Sequence, residues 1–597
     1  MTPRSLSRFL SRSFLVPLTG GVVLMGSLSA QPVGPTPPEV ETISNLTYVT
    51  HGDKRLQLDL FRPAGQKGVL PGVVCIHGGG WQQGERGQHA ALARAIAAHG
   101  YVTVTISYRL SGELPFPAQI HDAKAAVRWL RAHAAKYHLD PTAIGAVGHS
   151  AGGHLAALLA TSGGVSALEG TADLEAGEST VQAVVAFGAQ SDLTAAHIQA
   201  NHLNVEKLPM WSKFLGGAYR DVPERYRAAS PLTYLDRSDP PLAFITGERD
   251  SASTRADGTR RELMRLGIPT RLTVIKEAGH GIFQRPEWAK AVVENSVGFL
   301  DLHLKNRSRP LVQSAPEHPL APIFPANARW QTVGGGYAGC EGAQWIEENG
   351  EPTLLFSAQH DFFVFRWNER NGLRPWRDDS PEATAFRPDG RGGFFVVEQT
   401  NRTVVRWDAD GKRTEVLCDR FEGKRLNRPN DVVLRRDGTL WFSDPDFLFK
   451  QRPGDVKELE GQFLYRFDPK KKDLRAVVRD LKTPNGLTFS PDDRFFYFDD
   501  SAGDAIFRAS VAADGTLGPR EVFARIPAKG LDGLAFDAKG RLWCAAMDGV
   551  HVFDASGKEL GTLRLPYKPT SIAFSAGAAP FVCVTTREAA FVTRLQP

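Results

Sequence analysis

Gly148-His149-Ser150-Ala151-Gly152 sets a serine between glycines at a point where a strand should hand over to a helix. Ile144 to Val147 before it is a short apolar run of strand type, and Gly153 to Ala160 after it is Leu/Ala-rich and reads as a helix. In that context the glycines permit a sharp turn that lifts the serine Oγ above the sheet edge. Ser150 is therefore the expected nucleophile. A second run strengthens this: Ile76-His77-Gly78-Gly79-Gly80-Trp81 follows the apolar stretch Gly72 to Cys75. Glycines at a strand end leave backbone N–H groups free to face a developing oxyanion. Gly78, Gly79 and Gly80, together with the amide of Ala151, are the expected oxyanion donors.

The first half of the chain, residues 40–305, alternates strands and helices. Tyr48 to Phe61 reads as a hairpin around His51-Gly52-Asp53. Further strands are expected at Val73 to Ile76, Val102 to Ser107, Ile144 to Val147, Val181 to Phe187, Leu242 to Ile245 and Leu272 to Ile275. Helical stretches such as His89 to Ala98 and Ile120 to His138 lie between them. This α/β pattern implies a mostly parallel sheet covered on both faces, with its site at the strands' C-terminal ends. The acid and base of a serine site on such a sheet follow the serine in chain order, each after a late strand. Gly247-Glu248-Arg249-Asp250 and Gly279-His280 occupy those places. His280 is expected to take the Ser150 proton and Asp250 to orient the imidazolium, with no cofactor. Asp192 competes as the acid but comes one strand early; Glu248 reads as a turn residue, and His149 and His154 as packing or helix-start residues. Between Thr194 and Tyr226, Trp211, Phe214 and Tyr219 either cap an acyl pocket, with Trp81 as a wall, or pack on the sheet.

These motifs, with Ala229-Ser230-Pro231 ahead of Pro240-Pro241, resemble the bacterial feruloyl/acetyl-xylan esterase type of α/β-hydrolase, near the hormone-sensitive lipase group. The resemblance spans about Asn45 to Leu304. It implies cleavage of acetyl or hydroxycinnamoyl esters on plant polysaccharide or oligosaccharide. One departure is local: Thr246-Gly247 stands where many relatives carry His-Gly, and Ser251-Ala252-Ser253 where they carry Val-Pro.

At 597 residues the chain is too long for one core, and two Pro-rich stretches divide it. Residues 1–30 read as an export signal: Arg4, Arg8 and Arg12, then an apolar stretch from Phe14 to Leu28, then small residues for cleavage after Ala30. That leads to the expectation of a secreted or periplasmic protein without a membrane span. Residues 31–39 read as a tether, and residues 306–327, with five prolines, as a linker between separately packed halves. The net charge of +5 with no basic block gives no nucleic-acid footprint. Five scattered cysteines form neither a disulfide framework nor a zinc pattern.

The second half, residues 328–597, loses helical periodicity. Glu341-Gly342, Glu382-Ala383, Asn430-Asp431, Asn485-Gly486, Asp532-Gly533 and Thr570-Ser571 each open a strand, at intervals that suit one four-stranded blade. Six openings predict an all-β six-bladed propeller. Openings converge on a propeller's axis, and four of them, Glu341, Asn430, Asn485 and Asp532, carry side-chain oxygens. Hard oxygen donors without Cys or His suit one divalent cation, Ca²⁺ before Mg²⁺ or Mn²⁺.

Glu341-Gly342-Ala343-Gln344-Trp345, Arg428-Pro429-Asn430-Asp431, Pro484-Asn485-Gly486-Leu487 and Leu531-Asp532-Gly533 resemble the gluconolactonase/regucalcin family. That resemblance implies a single central metal held by the same four residues and hydrolysis of sugar lactones, with Asp431 and Asp532 as candidates for handling the water proton. Ala343 replaces a proline common in relatives. Three readings stay open: an esterase acting on plant polysaccharide fused to a lactonase-like propeller; a small-molecule or lipid esterase whose propeller only binds carbohydrate or a partner; and, weakest because triad, oxyanion loop and quartet are all complete, a non-catalytic surface protein built from degenerate enzyme folds.

Overall fold

The computed structural model describes residues 39–597 apart from 172–176, 203–208, 252–254, 306–308, 311–316, 327, 448–455, 578–579 and 597. The expected export signal and nearly all of the expected tether lie outside the described residues.

The first domain is an eight-stranded sheet of strands β1 (Val40–His51), β2 (Lys54–Pro63), β3 (Leu70–Ile76), β4 (Val102–Ile106), β5 (Leu139–His149), β6 (Ala183–Phe187), β7 (Leu242–Gly247) and β8 (Thr270–Ile275). Their spatial order is β1-β2-β4-β3-β5-β6-β7-β8. The β1–β2 hairpin is antiparallel, as its tight His51-Gly52-Asp53 turn requires, and β2 meets β4 antiparallel; all other pairs are parallel. The central strands are apolar on both sides because both faces are covered. Val74 and Ile76 of β3 join the core on one face, whereas Val73 and Cys75 join the core on the other. The expected strands are present within a few residues of their predicted bounds, and a helix, Ala151–Thr161, follows the serine.

Between β6 and β7 the described residues form helices Ala196–His202, Pro209–Leu215 and Pro223–Ala228. Here the structure decides what the sequence left open. Trp211 and Phe214 are buried, Trp81 stacks on Phe214 at 4.1 Å, and the indole of Trp211 lies 5.1 Å from that of Trp81. These rings are core, not an exposed pocket wall.

The second domain consists of six antiparallel blades opening at Cys340, Ala383, Val432, Pro484, Leu534 and Pro569. The last blade is closed by the domain's first strand: Arg329–Gly335 pairs with Ala589–Arg594, so both ends of the domain are held in one sheet. Aromatic and β-branched residues fill the spaces between blades, as with Trp345, Trp367 and Phe581.

The stretch expected as a linker is not free at its C-terminal end. Leu320, Ile323 and Phe324 are buried in the cluster that contains Trp543 and Val582, because the prolines there alternate with apolar residues that find a core. The two domains also pack on one another, against the expectation of separately packed halves. Met264, from the helix Asp257–Leu266, is buried in the cluster of the first blade; that burial stabilises by about 1.5–3 kcal/mol. Around it, Arg260 pairs with Asp361 at 2.6 Å, Arg265 with Asp378 at 2.8 Å, and Arg271 with Glu588. All five cysteines are buried and unpaired. Among the described residues no helix is long and apolar enough to cross a membrane.

Candidate active sites

The serine site is assembled at the C-terminal edge of the parallel strands. Ser150 adopts φ 55°, ψ −116°, a conformation an L-residue holds only when its surroundings force it. Gly152 is what permits the turn: a Cβ there would fall 2.1 Å from the carbonyl oxygen of Ile76. The Ser150 amide donates to Phe187 O at 2.7 Å, fixing the elbow to the neighbouring strand. His280 Nε2 lies 2.8 Å from Ser150 Oγ, and His280 Nδ1 lies 2.8 Å from Asp250 Oδ2. The structure thus brings Ser150, His280 and Asp250 into one hydrogen-bonded line. Asp192 is elsewhere, accepting from the amide and hydroxyl of Thr194. Glu248 is exposed and accepts the amide of Glu277, bracing the loop that carries His280.

The glycine loop lies against the serine, since a Cβ on Gly78 would reach 3.3 Å from Ser150 Cβ. Gly79 and Gly80 both have positive φ, and among the described residues neither amide donates to another group. Ala151 opens the helix after Ser150, whose first-turn amides and dipole favour negative charge. Histidines frame the site without sharing the triad. Burial holds His154 down at about 4, and its Nε2 meets Ala229 O. His149 is also held down at about 4, chiefly by burial, with its Nε2 at 2.9 Å from His280 O.

Arg255 was not signalled by the sequence. Its guanidinium donates to Asp250 Oδ1 at 2.9 Å, to the Asp250 carbonyl at 2.7 Å and to Gly188 O at 3.0 Å. It thereby fixes the acid's second oxygen and leaves Oδ2 for His280.

The four propeller openings converge as expected. Asn430 Nδ2 donates to Asn485 Oδ1 at 2.5 Å, and Asn485 Nδ2 donates to Asp532 Oδ1 at 2.9 Å. Glu341 lines the same cavity. Outward lies a chamber of about 950 Å³; inward, a void of about 20 Å³, room for a water, is lined by the same four residues. Asp431 lines only the inner void, with Arg387 at 3.4 Å, and does not reach the chamber. Burial, then the charge of Asp532, raises the Glu341 carboxyl well above its usual range. Asp532 is raised by burial, against the pull of Lys568. Lys568, Gln399 and Gln359 were not anticipated. Lys568 Nζ donates to Asp532 Oδ2 at 2.7 Å, Gln399 Nε2 to Asn430 Oδ1 at 2.7 Å, and Gln359 Nε2 to Gln399 Oε1 at 2.6 Å. Among the described residues no group of three His, Cys, Asp or Glu side chains is arranged for a metal; the quartet brings two carboxylates and two amides.

Comparison with known proteins agrees with this two-part geometry. Residues 58–257 match the BD-FAE family model, and residues 340–588 match that of the SMP-30/Gluconolactonase/LRE-like region. The chain belongs to both families. Ser150 and Asp250 fall inside the BD-FAE match and His280 beyond its end, while all four converging openings lie in the gluconolactonase-like match. Esterase LipQ of Mycobacterium tuberculosis is 33% identical over 224 residues, 36% of this chain and 51% of that protein. A gluconolactonase of Zymomonas mobilis is 29% identical over 247 residues, 37% of this chain and 68% of that protein. A 6-deoxy-6-sulfogluconolactonase of Pseudomonas putida is 31% identical over 217 residues, 35% and 71% of the two chains. The chain thus spans about half of the esterase relative and about two thirds of the lactonase ones. The BD-FAE domain and the gluconolactonase-like domain each carry one constellation, at separate places in the fold.

Proposed function

We propose that the protein is an exported serine carboxylic-ester hydrolase that removes acetyl or feruloyl groups from plant polysaccharide, joined to a metal-dependent sugar-lactonase propeller. The observation that carries the first part is the line Ser150–His280–Asp250, with 2.8 Å at both contacts. His280 takes the Ser150 proton as Oγ attacks the ester carbonyl, and the amides of the glycine loop and Ala151 hold the oxyanion. Collapse breaks the bond from the acyl carbon to the sugar oxygen, which takes the proton from His280 and leaves as a hydroxyl. Water, deprotonated by the same imidazole, then releases the acid and restores Ser150. Asp250 stabilises the imidazolium throughout, and Arg255 holds Asp250 in register.

For the propeller, the donor chemistry supports a divalent cation. Glu341 is half-buried and Asp532 buried, desolvation disfavours the charge of both carboxylates, and a dication would relieve that cost. Glu341, Asn430, Asn485 and Asp532 would hold it, Ca²⁺ being the best match to an all-oxygen set. When bound, it would supply Lewis-acid polarisation of a lactone carbonyl. Gln399 and Gln359 orient Asn430, and Lys568 holds one oxygen of Asp532. Asp532, which lines the chamber, is the better placed candidate for the water proton; Asp431 is on the wrong side of the quartet. The basic, then apolar N-terminus supports export.

A substrate panel tests this reading: p-nitrophenyl acetate, acetylated xylan, methyl ferulate and glucono-1,5-lactone, each with and without EDTA. Ester release that survives EDTA, beside lactone hydrolysis that does not, supports it. Turnover of p-nitrophenyl acetate without release from xylan or ferulate would favour a small-molecule esterase instead.

A further inference from the structure

The chamber outside the quartet is not built by the propeller alone. Arg271, Val274 and Asn295 of the first domain line it together with the propeller mouth. β8 is the edge strand of the hydrolase sheet, and the propeller mouth faces that edge. The wall is fixed in place. A Cβ on Gly336 would come within 2.8 Å of Thr270 O, and Arg271 is held between Glu588 and the ring of Phe299.

The chamber's lining is uneven. Near the quartet it is polar: Gln359, Gln399, Asn430, Asn485 and Ser501. Elsewhere charged groups such as Arg271, His360, Arg587 and Glu588 share the wall with apolar side chains left open to solvent. Met547 is 53% exposed and Val274 46%, both among the most exposed large apolar side chains of the described residues, and Phe447 is half-buried. Exposed apolar groups from two domains on one concavity mark a ligand surface rather than scattered surface noise. The volume, about 950 Å³, is of the size that encloses a drug-sized molecule and exceeds what one sugar ring needs.

We infer that the chamber takes a lactone with a polyhydroxylated ring and an apolar acyl- or alkyl-type substituent, the ring at the quartet and the substituent against Val274, Met547 and Phe447. This rests on the lactonase reading given above. In the reaction, water adds to the lactone carbonyl carbon, the bond from that carbon to the ring oxygen breaks, and the ring oxygen leaves as a hydroxyl, giving the open acid. Val274 is thus a specificity-determining residue supplied to one domain by the other.

The test compares kcat/KM for 6-O-octyl-glucono-1,5-lactone, whose ether link no esterase cuts, with that for glucono-1,5-lactone, in the full chain. The parent should prefer the octyl compound by about tenfold or more, the scale on which apolar contacts discriminate. Val274→Asp and Met547→Asp should each reduce that ratio several-fold, while p-nitrophenyl acetate turnover follows the parent's. A parent ratio near one, or a ratio unchanged in both variants, would overturn the inference. If the parent opens neither lactone, the lactonase reading fails by itself. Calorimetry with sodium 6-O-octyl-gluconate and sodium gluconate then decides: tighter octyl binding that Val274→Asp weakens supports the apolar subsite at Val274, and equal binding overturns it.

Discussion

Replacing Asp250 by Asn should disable ester hydrolysis through a proton placed on the wrong nitrogen. Asp250 is 6% exposed and its two oxygens have different partners, Oδ1 with Arg255 at 2.9 Å and Oδ2 with His280 Nδ1 at 2.8 Å. A guanidinium can only donate, so the amide must turn its carbonyl to Arg255 and its NH₂ to His280. Two donors cannot share that contact. His280 therefore presents a bare Nδ1 and carries its proton on Nε2, the nitrogen 2.8 Å from Ser150 Oγ. In that tautomer it cannot accept the serine proton. An amide in place of the acid of such a triad costs about 10⁴ in kcat, or about 5 kcal/mol of barrier. KM should change little, because the buried residue does not meet the substrate. The assay is p-nitrophenyl acetate turnover at saturating substrate beside a thermal melt. A folded Asp250→Asn protein with kcat within tenfold of the parent would refute the orientation argument.

Two further outcomes follow from burial and charge. Glu341→Gln with Asp532→Asn removes both anionic donors of the quartet, so metal analysis after mild dialysis should fall from about one equivalent to none; retained metal would refute the quartet. Because His154 stays neutral to about pH 4 when folded, whereas an unfolded histidine takes its proton near 6.5, stability is full above pH 6.5 and falls as pH drops towards 4. This one residue should account for about 2 kcal/mol lost between pH 7 and 5. Denaturant titrations at the two pH values should show a smaller loss in His154→Gln, and an equal loss would contradict the assignment.

What could be read from the sequence was local or repeated. Ser150 is marked by a strand, a five-residue turn and a helix, all within contiguous residues. Asp250 and His280 lie 100 and 130 positions after it, yet chain order on a parallel sheet fixes their places. The quartet was visible because a blade repeat puts equivalent residues at the axis. Arg255 was hidden: its guanidinium meets the Asp250 carboxylate five residues before it, and no spacing rule announces that. Lys568 was hidden too, since it sits just before a blade opening and carries no side-chain oxygen. Asp431 adjoins Asn430 in sequence, yet it lines the inner void and not the chamber. The contact between domains depends on Met264 and the arginines around it, which in sequence read as an ordinary amphipathic helix.

The central claim is that Ser150 attacks the ester. The decisive measurement is the rate of p-nitrophenyl acetate hydrolysis by Ser150→Ala, with circular dichroism to establish that the fold is intact. The account predicts a fall of at least about 10⁴-fold, to little more than background. A folded Ser150→Ala protein that still turns the ester over at a rate near the parent's would contradict it.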